Sequence, residues 1–190
     1  MVRLTIVGTA PYISQAWSET AIRKIQDKQS KAPRRGPIRS GTRDPNREFE
    51  ESIYRTKEGA PGINKIAVRA AMIDAAPLVG IARPLIKAGL RIGGSYIIPI
   101  RGSRPQMRTD MRRLPTGSAD PVYRAEFWPW EMDLELRYDA HLITLEQVIN
   151  LVRRAGFSVG IGGKRPMDPK GKGDDFGTFD LKDALYDAAG

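Results

Sequence analysis

The sequence predicts an α+β domain: a ferredoxin-like or RRM-like split βαβ sheet with a long basic, thumb-like insertion and an added hairpin. Three observations predict it. Apolar periodicity changes along the chain in the order strand, helix, strand, strand, helix, strand. A stretch after the first strand is too charged and too rich in Pro and Gly to join a core. The 190 residues, 41% of them hydrophobic, suffice for one core and not for two. The expected organisation is a single RRM-like domain over residues 1–190, with residues 9–60 as a basic flexible insertion within it.

Each element has a local reason. Residues Arg3 to Val7 alternate and include β-branched side chains, which makes a first strand. After the insertion, Phe49 to Tyr54 reads as a short strand and Pro61-Gly62 as a turn. Asn64 is placed to cap a helix over Lys65 to Ala76, with Ile66, Ala70 and Ile73 on one face and Lys65 and Arg69 together on another. Pro84 to Arg91 reads as a short strand or a turn of helix. Ser95 to Ile100 is an apolar strand with Pro99 at an edge or bulge. Val122 to Phe127 and Met132 to Tyr138 flank a corner at Trp128-Pro129-Trp130-Glu131, and the second run alternates apolar and charged as a sheet with one wet face does. Thr144 and Gln147 form a capping box, with Ile143 and Val148 as a hydrophobic staple. The helix they start turns Leu145, Val148, Ile149 and Val152 inward and is expected to end with Gly156 at C′. A glycine-rich loop follows, and Phe179 and Leu181 alternate along a last strand.

Charge carries the functional argument. The formal net charge is +9, so an anionic partner is expected, nucleic acid first and an anionic membrane surface second. No run approaches the ~18 apolar residues of a membrane span, and the apolar start of the chain is too short for a signal peptide, so no membrane partner is expected. Cysteine is absent, which excludes a disulfide scaffold and thiolate chemistry and agrees with a cytoplasmic location. Between Ala21 and Arg47 lie nine Lys or Arg residues, among them Arg34, Arg35, Arg39 and Arg43, against only Asp27 and Asp44. A second basic stretch, expected to be a loop after Ile100, holds Arg101, Arg104, Arg108, Arg112 and Arg113 against Asp110, interleaved with Met107 and Met111. The late loop places Gly160, Gly162 and Gly163 beside Lys164 and Arg165, so bare N–H groups and cations sit together as a phosphate backbone would require.

Some of these residues also carry a resemblance. The predicted strand order, the turn Pro61-Gly62-Ile63-Asn64-Lys65 opening a helix with Arg69-Ala70-Ala71, and the loop Gly160-Ile161-Gly162-Gly163 leading to Phe176-Gly177 are similar to the RAMP superfamily of CRISPR proteins. The backbone-forming Cas7-like members are the nearer match. The Gly-Ile-Gly, Arg165-Pro166 and Phe-Gly-x-Phe pattern also resembles phage-encoded proteins. The resemblance implies an RRM-like core, an inserted thumb, many copies along one RNA strand, and partners such as CRISPR-type complex subunits. Two departures stand beside it: the loop is stretched by Met167 to Asp175, and the chain is short for a backbone subunit.

Catalysis finds no constellation. His141 is the only histidine, in a strand-to-helix turn where a surface or capping role is the usual one. Asp174 and Asp175 are adjacent and point apart, and Asp110 is expected to pair with arginine rather than to hold a metal. No P-loop or nucleophile elbow occurs. No catalytic residue, metal or cofactor is therefore assigned. The expected function is binding of single-stranded RNA or DNA, RNA ahead, by a homo-oligomer or helical assembly on the strand. The expected contacts are Arg34, Arg35, Arg39, Arg43, Lys65, Arg69, Arg101, Arg104, Arg108, Gly160, Gly162, Gly163, Lys164 and Arg165. Trp128 and Trp130 are expected to pack rather than to stack on bases. A RAMP-type processing endoribonuclease using His141, and a virion or scaffold protein with a basic arm, are the alternatives.

Overall fold

The computed structural model describes residues 1–16, 26, 44–113, 117–169 and 173–182. Arg34, Arg35, Arg39 and Arg43 lie outside them, as does nearly all of the basic segment between Ala21 and Arg43. The described chain is a mixed α+β structure with three antiparallel sheets. Its main sheet has the order β11 (Phe179–Leu181), β1 (Val2–Gly8), β10 (Trp130–Tyr138), β5 (Leu90–Ile92), with the short β7 (Arg101–Gly102) also pairing with β10. All of these pairings are antiparallel.

Helices α2 (Lys65–Ala75) and α4 (Leu145–Arg154) pack against each other. The expected alternation of β10 is present: Trp130, Met132, Leu134 and Leu136 are buried, while Glu131, Asp133, Glu135 and Arg137 point the other way. Trp130 is 1% exposed, its Nε1 donates to the Ala10 carbonyl at 2.9 Å, and its ring meets Phe179 edge-on at 6.3 Å. A buried indole keeps its apolar area out of water only when its N–H finds such an acceptor. Trp128, by contrast, is 46% exposed, so the expectation of packing holds for one tryptophan of the pair.

The capping box at Thr144 and Gln147 is complete in both directions, and Asn64 caps α2 by accepting from the Ile66 N–H. The face that α2 buries differs from the expected one. Val68, Ala71, Met72 and Ala75 are buried and Ile66 is 54% exposed. The buried set has the spacing i, i+3, i+4, i+7, a fuller stripe than Ile66, Ala70 and Ile73, and the fuller stripe takes the core.

Three further expectations are corrected. Phe49 to Tyr54 is not a strand: α1 (Pro45–Glu51) occupies its first half, capped by the Asp44 carboxylate with Pro45 in the first turn, and β3 (Tyr54–Arg55) follows. Pro61-Gly62 is not the turn. The reversal lies between Thr56 and Ala60, and Pro61 belongs to β4 (Pro61–Asn64), which pairs with β3 and β6 (Ile97–Pro99). The basic stretch after Ile100 is not a loop. Its body is β8 (Gln106–Arg113), hairpinned with β9 (Ala119–Phe127) through eight residue pairs. Between Pro84 and Arg91 the helical alternative holds, as α3 (Arg83–Gly89) running into β5.

The expected insertion over residues 9–60 therefore contains ordered pieces of the body. β2 (Tyr12–Ile13) pairs with Phe127 and Glu126, and α1 lies on β9. Ser52, 6% exposed, ties them: its Oγ accepts from the Ala125 N–H at 2.9 Å while its carbonyl accepts from Ser14 Oγ at 2.6 Å.

Candidate nucleic-acid interface

A cation is available to a phosphate to the extent that no carboxylate already neutralises it, and the described side chains fall into two groups on that criterion. Arg101, Arg108 and Lys164 are neutralised. Arg101 Nε donates to Glu131 at 3.1 Å, and its two terminal nitrogens grip both oxygens of Asp133. Arg108 bonds Asp110 at 3.0 Å and Glu126 at 2.7 Å, and its guanidinium lies 4.5 Å from the centre of the Phe176 ring. Lys164 Nζ reaches the same Asp110 oxygen at 2.7 Å. The expected pairing of Asp110 with arginine is thus present.

Lys65, Arg69 and Arg165 instead spend their side-chain donors on backbone carbonyls. Lys65 bonds Gly94 at 3.1 Å, Arg69 bonds Lys87 at 3.0 Å and Arg165 bonds Gly162 at 3.1 Å. Arg104 is exposed on the turn between β7 and β8. None of these four has a carboxylate bonded to it among the described residues.

The glycines of the late loop face inward. Past α4 the chain makes a π turn over Ala155–Val159 and leaves it at Gly160, not at Gly156 as expected. Gly156 packs where any side chain would collide with Phe179. The N–H groups of Gly160, Ile161 and Gly163 donate to Ala155, Gly177 and Ile13 at 2.9, 3.0 and 3.0 Å. A Cβ on Gly162 would lie 2.5 Å from the Ile13 carbonyl oxygen, and one on Gly163 would strike Gln15. The close approach these glycines permit is to β2 and its neighbours, and the N–H groups of Gly160 and Gly163 are already bonded inside the chain. Gly160, Gly162 and Gly163 are thereby moved from a ligand-facing role to a packing one.

The sheet face opposite the helices carries paired charges, with Glu131 and Asp133 holding Arg101, Glu131 also holding Lys182, and Glu135 holding Arg137. Glu131, Asp133 and Glu135 line it beside Arg3 and Thr5, and a shallow groove there has Gly94, Ser95, Asp133 and Glu135 in its walls. A phosphate chain laid across that face would meet carboxylates, and no exposed aromatic side chain of β1 or β10 offers a base platform. Asp133 is held down to about 2 by its bonds to Arg101 and, secondarily, by the Thr5 hydroxyl. Glu131 is lowered by Lys182 first and Arg101 second. Burial pushes the Asp110 carboxyl up, but Lys164 and Arg108 outweigh it and the net direction is down. Arg124, half-buried on β9, is lowered chiefly by burial.

These depressed carboxyls make stability fall in acid. A group whose folded pKa lies below its unfolded value stabilises fully above the unfolded value and loses that contribution as pH drops through the folded one. For Asp133 the window runs from its ordinary 3.8 down to about 2. Asp133→Asn is expected to flatten that acid limb, measured as the urea midpoint at pH about 5 and about 2.5. The pair is exposed, so the effect is at most ~1 kcal/mol and shrinks in added salt. An unchanged acid limb would show that Arg101 does not hold this carboxylate in solution.

His141 is exposed, and its backbone N–H donates to the Asp139 carboxylate at 3.0 Å in a turn. No group of three or more His, Cys, Asp or Glu side chains gathers for a metal among the described residues. No helix among them is long and apolar enough to cross a membrane. Lys87 and Arg91 are two cations that the sequence reading left out. Arg83 and Lys87 stand one turn apart on α3 and Arg91 follows on β5, a grouping that a segment left between a short strand and a turn of helix does not reveal. Compared with known proteins, the chain matches no family model and no curated sequence.

Proposed function

We propose that the protein binds single-stranded nucleic acid, RNA ahead of DNA, through phosphate contacts and with little base readout, several copies lining one strand. The observation that carries this reading is the surplus of cationic over acidic residues. The chain has a net charge of +9, and nine Lys or Arg stand against two Asp between Ala21 and Arg47. Among the described residues no carboxylate is bonded to Lys65, Arg69, Arg104 or Arg165, while Arg101, Arg108 and Lys164 are paired. The contact set is therefore Arg34, Arg35, Arg39 and Arg43 with those four. Polyanions bind such surfaces with release of condensed counterions, and sequence enters only weakly.

We infer further that the main sheet is a ferredoxin-like split βαβ unit and the chain a RAMP-like, Cas7-like relative. Support comes from the strand order β11, β1, β10, β5 with α2 and α4 in the two crossovers, which is the spatial order 4-1-3-2 of that unit. The helix-free face, whose carboxylates are paired and whose strands β1 and β10 show no exposed aromatic side chain, counts against the RRM manner of stacking bases on the sheet, and edges and arms are the better surface.

Size-exclusion chromatography with light scattering, with U-oligomers of increasing length, tests the reading. Mass is expected to step up by one protomer at a time as the oligomer lengthens. One protomer per oligomer at every length would contradict assembly along the strand. An assembly of the same mass without oligomer would favour a scaffold protein whose basic arm neutralises an acidic neighbour.

A further inference from the structure

One edge of the body gathers cations with no carboxylate bonded to them among the described residues. Lys65 and Arg69 stand one turn apart on α2, and Lys87 and Arg91 come from the end of α3 and from β5, the edge strand of the main sheet. Two guanidinium groups converge on a single acceptor: Arg69 Nη2 and Arg91 Nη1 both donate to the Lys87 carbonyl, at 3.0 and 2.7 Å. Arg91 Nη1 also meets the carbonyls of Ala88 and Leu90, each at 2.9 Å. Two of the three surrounding carboxylates are paired with other cations. Asp74 faces Arg83 at 3.7 Å, Glu135 takes Arg137 at 3.0 Å, and Asp139 accepts from the His141 N–H.

Capping the last carbonyls of α3 accounts for one cation and not for four. A helix C-terminus carries roughly half a negative charge, which leaves the cluster strongly positive. Each guanidinium has five donors. Arg91 commits only Nη1, and Arg69 Nε is buried with no partner at all. Unspent donors and like charges held together are relieved by an anion bridging them. An aromatic ring adjoins the cluster: Tyr96, 56% exposed, has its hydroxyl fixed by Asn64 Nδ2 at 3.2 Å and its carbonyl by the Lys65 N–H at 3.0 Å.

We propose that this edge is a nucleotide subsite for a single strand, with a phosphate between Arg69 and Arg91, Lys65 and Lys87 flanking it, and a base stacked on Tyr96. The inference rests on the nucleic-acid reading above and gives that reading a location. Fluorescence anisotropy with a labelled U-oligomer of about 20 nucleotides tests it, with heparin as a polyanion that lacks bases and circular dichroism melts as the check on folding. Lys87→Gln with Arg91→Gln is expected to weaken oligomer binding about tenfold and to flatten the salt slope by about 1.4. Tyr96→Leu is expected to weaken oligomer binding about tenfold with no change in slope and none in heparin affinity. If the native protein binds and both variants match it, this subsite is wrong and the nucleic-acid reading stands. If the native protein itself does not bind, both fall. Equal losses of oligomer and heparin in Tyr96→Leu would overturn the stacking contact.

Discussion

Gly177→Ala is expected to lower the free energy of unfolding by about 3 kcal/mol or more. Two costs combine there. The backbone sits at φ 67, in the left-handed region that a Cβ disfavours, and that Cβ would press on the Ile161 carbonyl oxygen. Relief by movement is blocked on both sides, since the Gly177 N–H donates to Pro11 at 2.8 Å and its carbonyl accepts from the Ile161 N–H at 3.0 Å. Moving the residue therefore pulls on the late glycine loop and on the approach to β2 together. Gly59→Ala is the matched comparison, because Gly59 has φ 86 and nothing within 4 Å of its would-be Cβ. It should cost only the conformational part, about 1–2 kcal/mol. Urea denaturation followed by the fluorescence of buried Trp130 measures both. Equal losses in the two variants would mean that the late loop is not packed as described.

The same packing separates what the sequence shows from what it hides. Patterns that depend on neighbours in the chain were legible: the alternation of β10, the capping box at Thr144 and the Asn64 cap. Patterns that depend on a distant partner were not. Gly160, Gly162 and Gly163 look like an open anion cradle because nothing local reveals that Ile13 and Gln15 will fill the space where their side chains would be. Arg101 looks like a free cation because Asp133, which grips it, lies 32 residues away, and of the two carboxylates that hold Arg108 only Asp110 is local, Glu126 lying 18 residues away.

Other misses had a local signal that was outvoted. Asp44-Pro45 is a cap followed by a first-turn proline, which marks a helix start, yet the aromatic and β-branched residues up to Tyr54 favoured a strand. The arginines from Arg101 to Arg113 favoured a loop, although Gln106 to Arg113 contains no Gly or Pro and pairs through its whole length. In α2 both apolar stripes were visible, and only the sheet and α4 beneath it decide between them.

The account's central claim is that the cations left without carboxylates bind a polyanionic strand, and the salt dependence of affinity addresses it most directly. A protomer engaging about five phosphates of a single strand should show log affinity falling with log salt at a slope near −3.5, or about a hundredfold loss between about 50 and 200 mM. Salt acts here on counterion release, so the loss should be the same for U-, A- and C-oligomers if bases are little read. Anisotropy titrations of the native protein with these oligomers at four or more salt concentrations make the measurement. A steep slope common to all sequences is the expected result; a slope near zero, or no binding at the lowest salt, would contradict the claim.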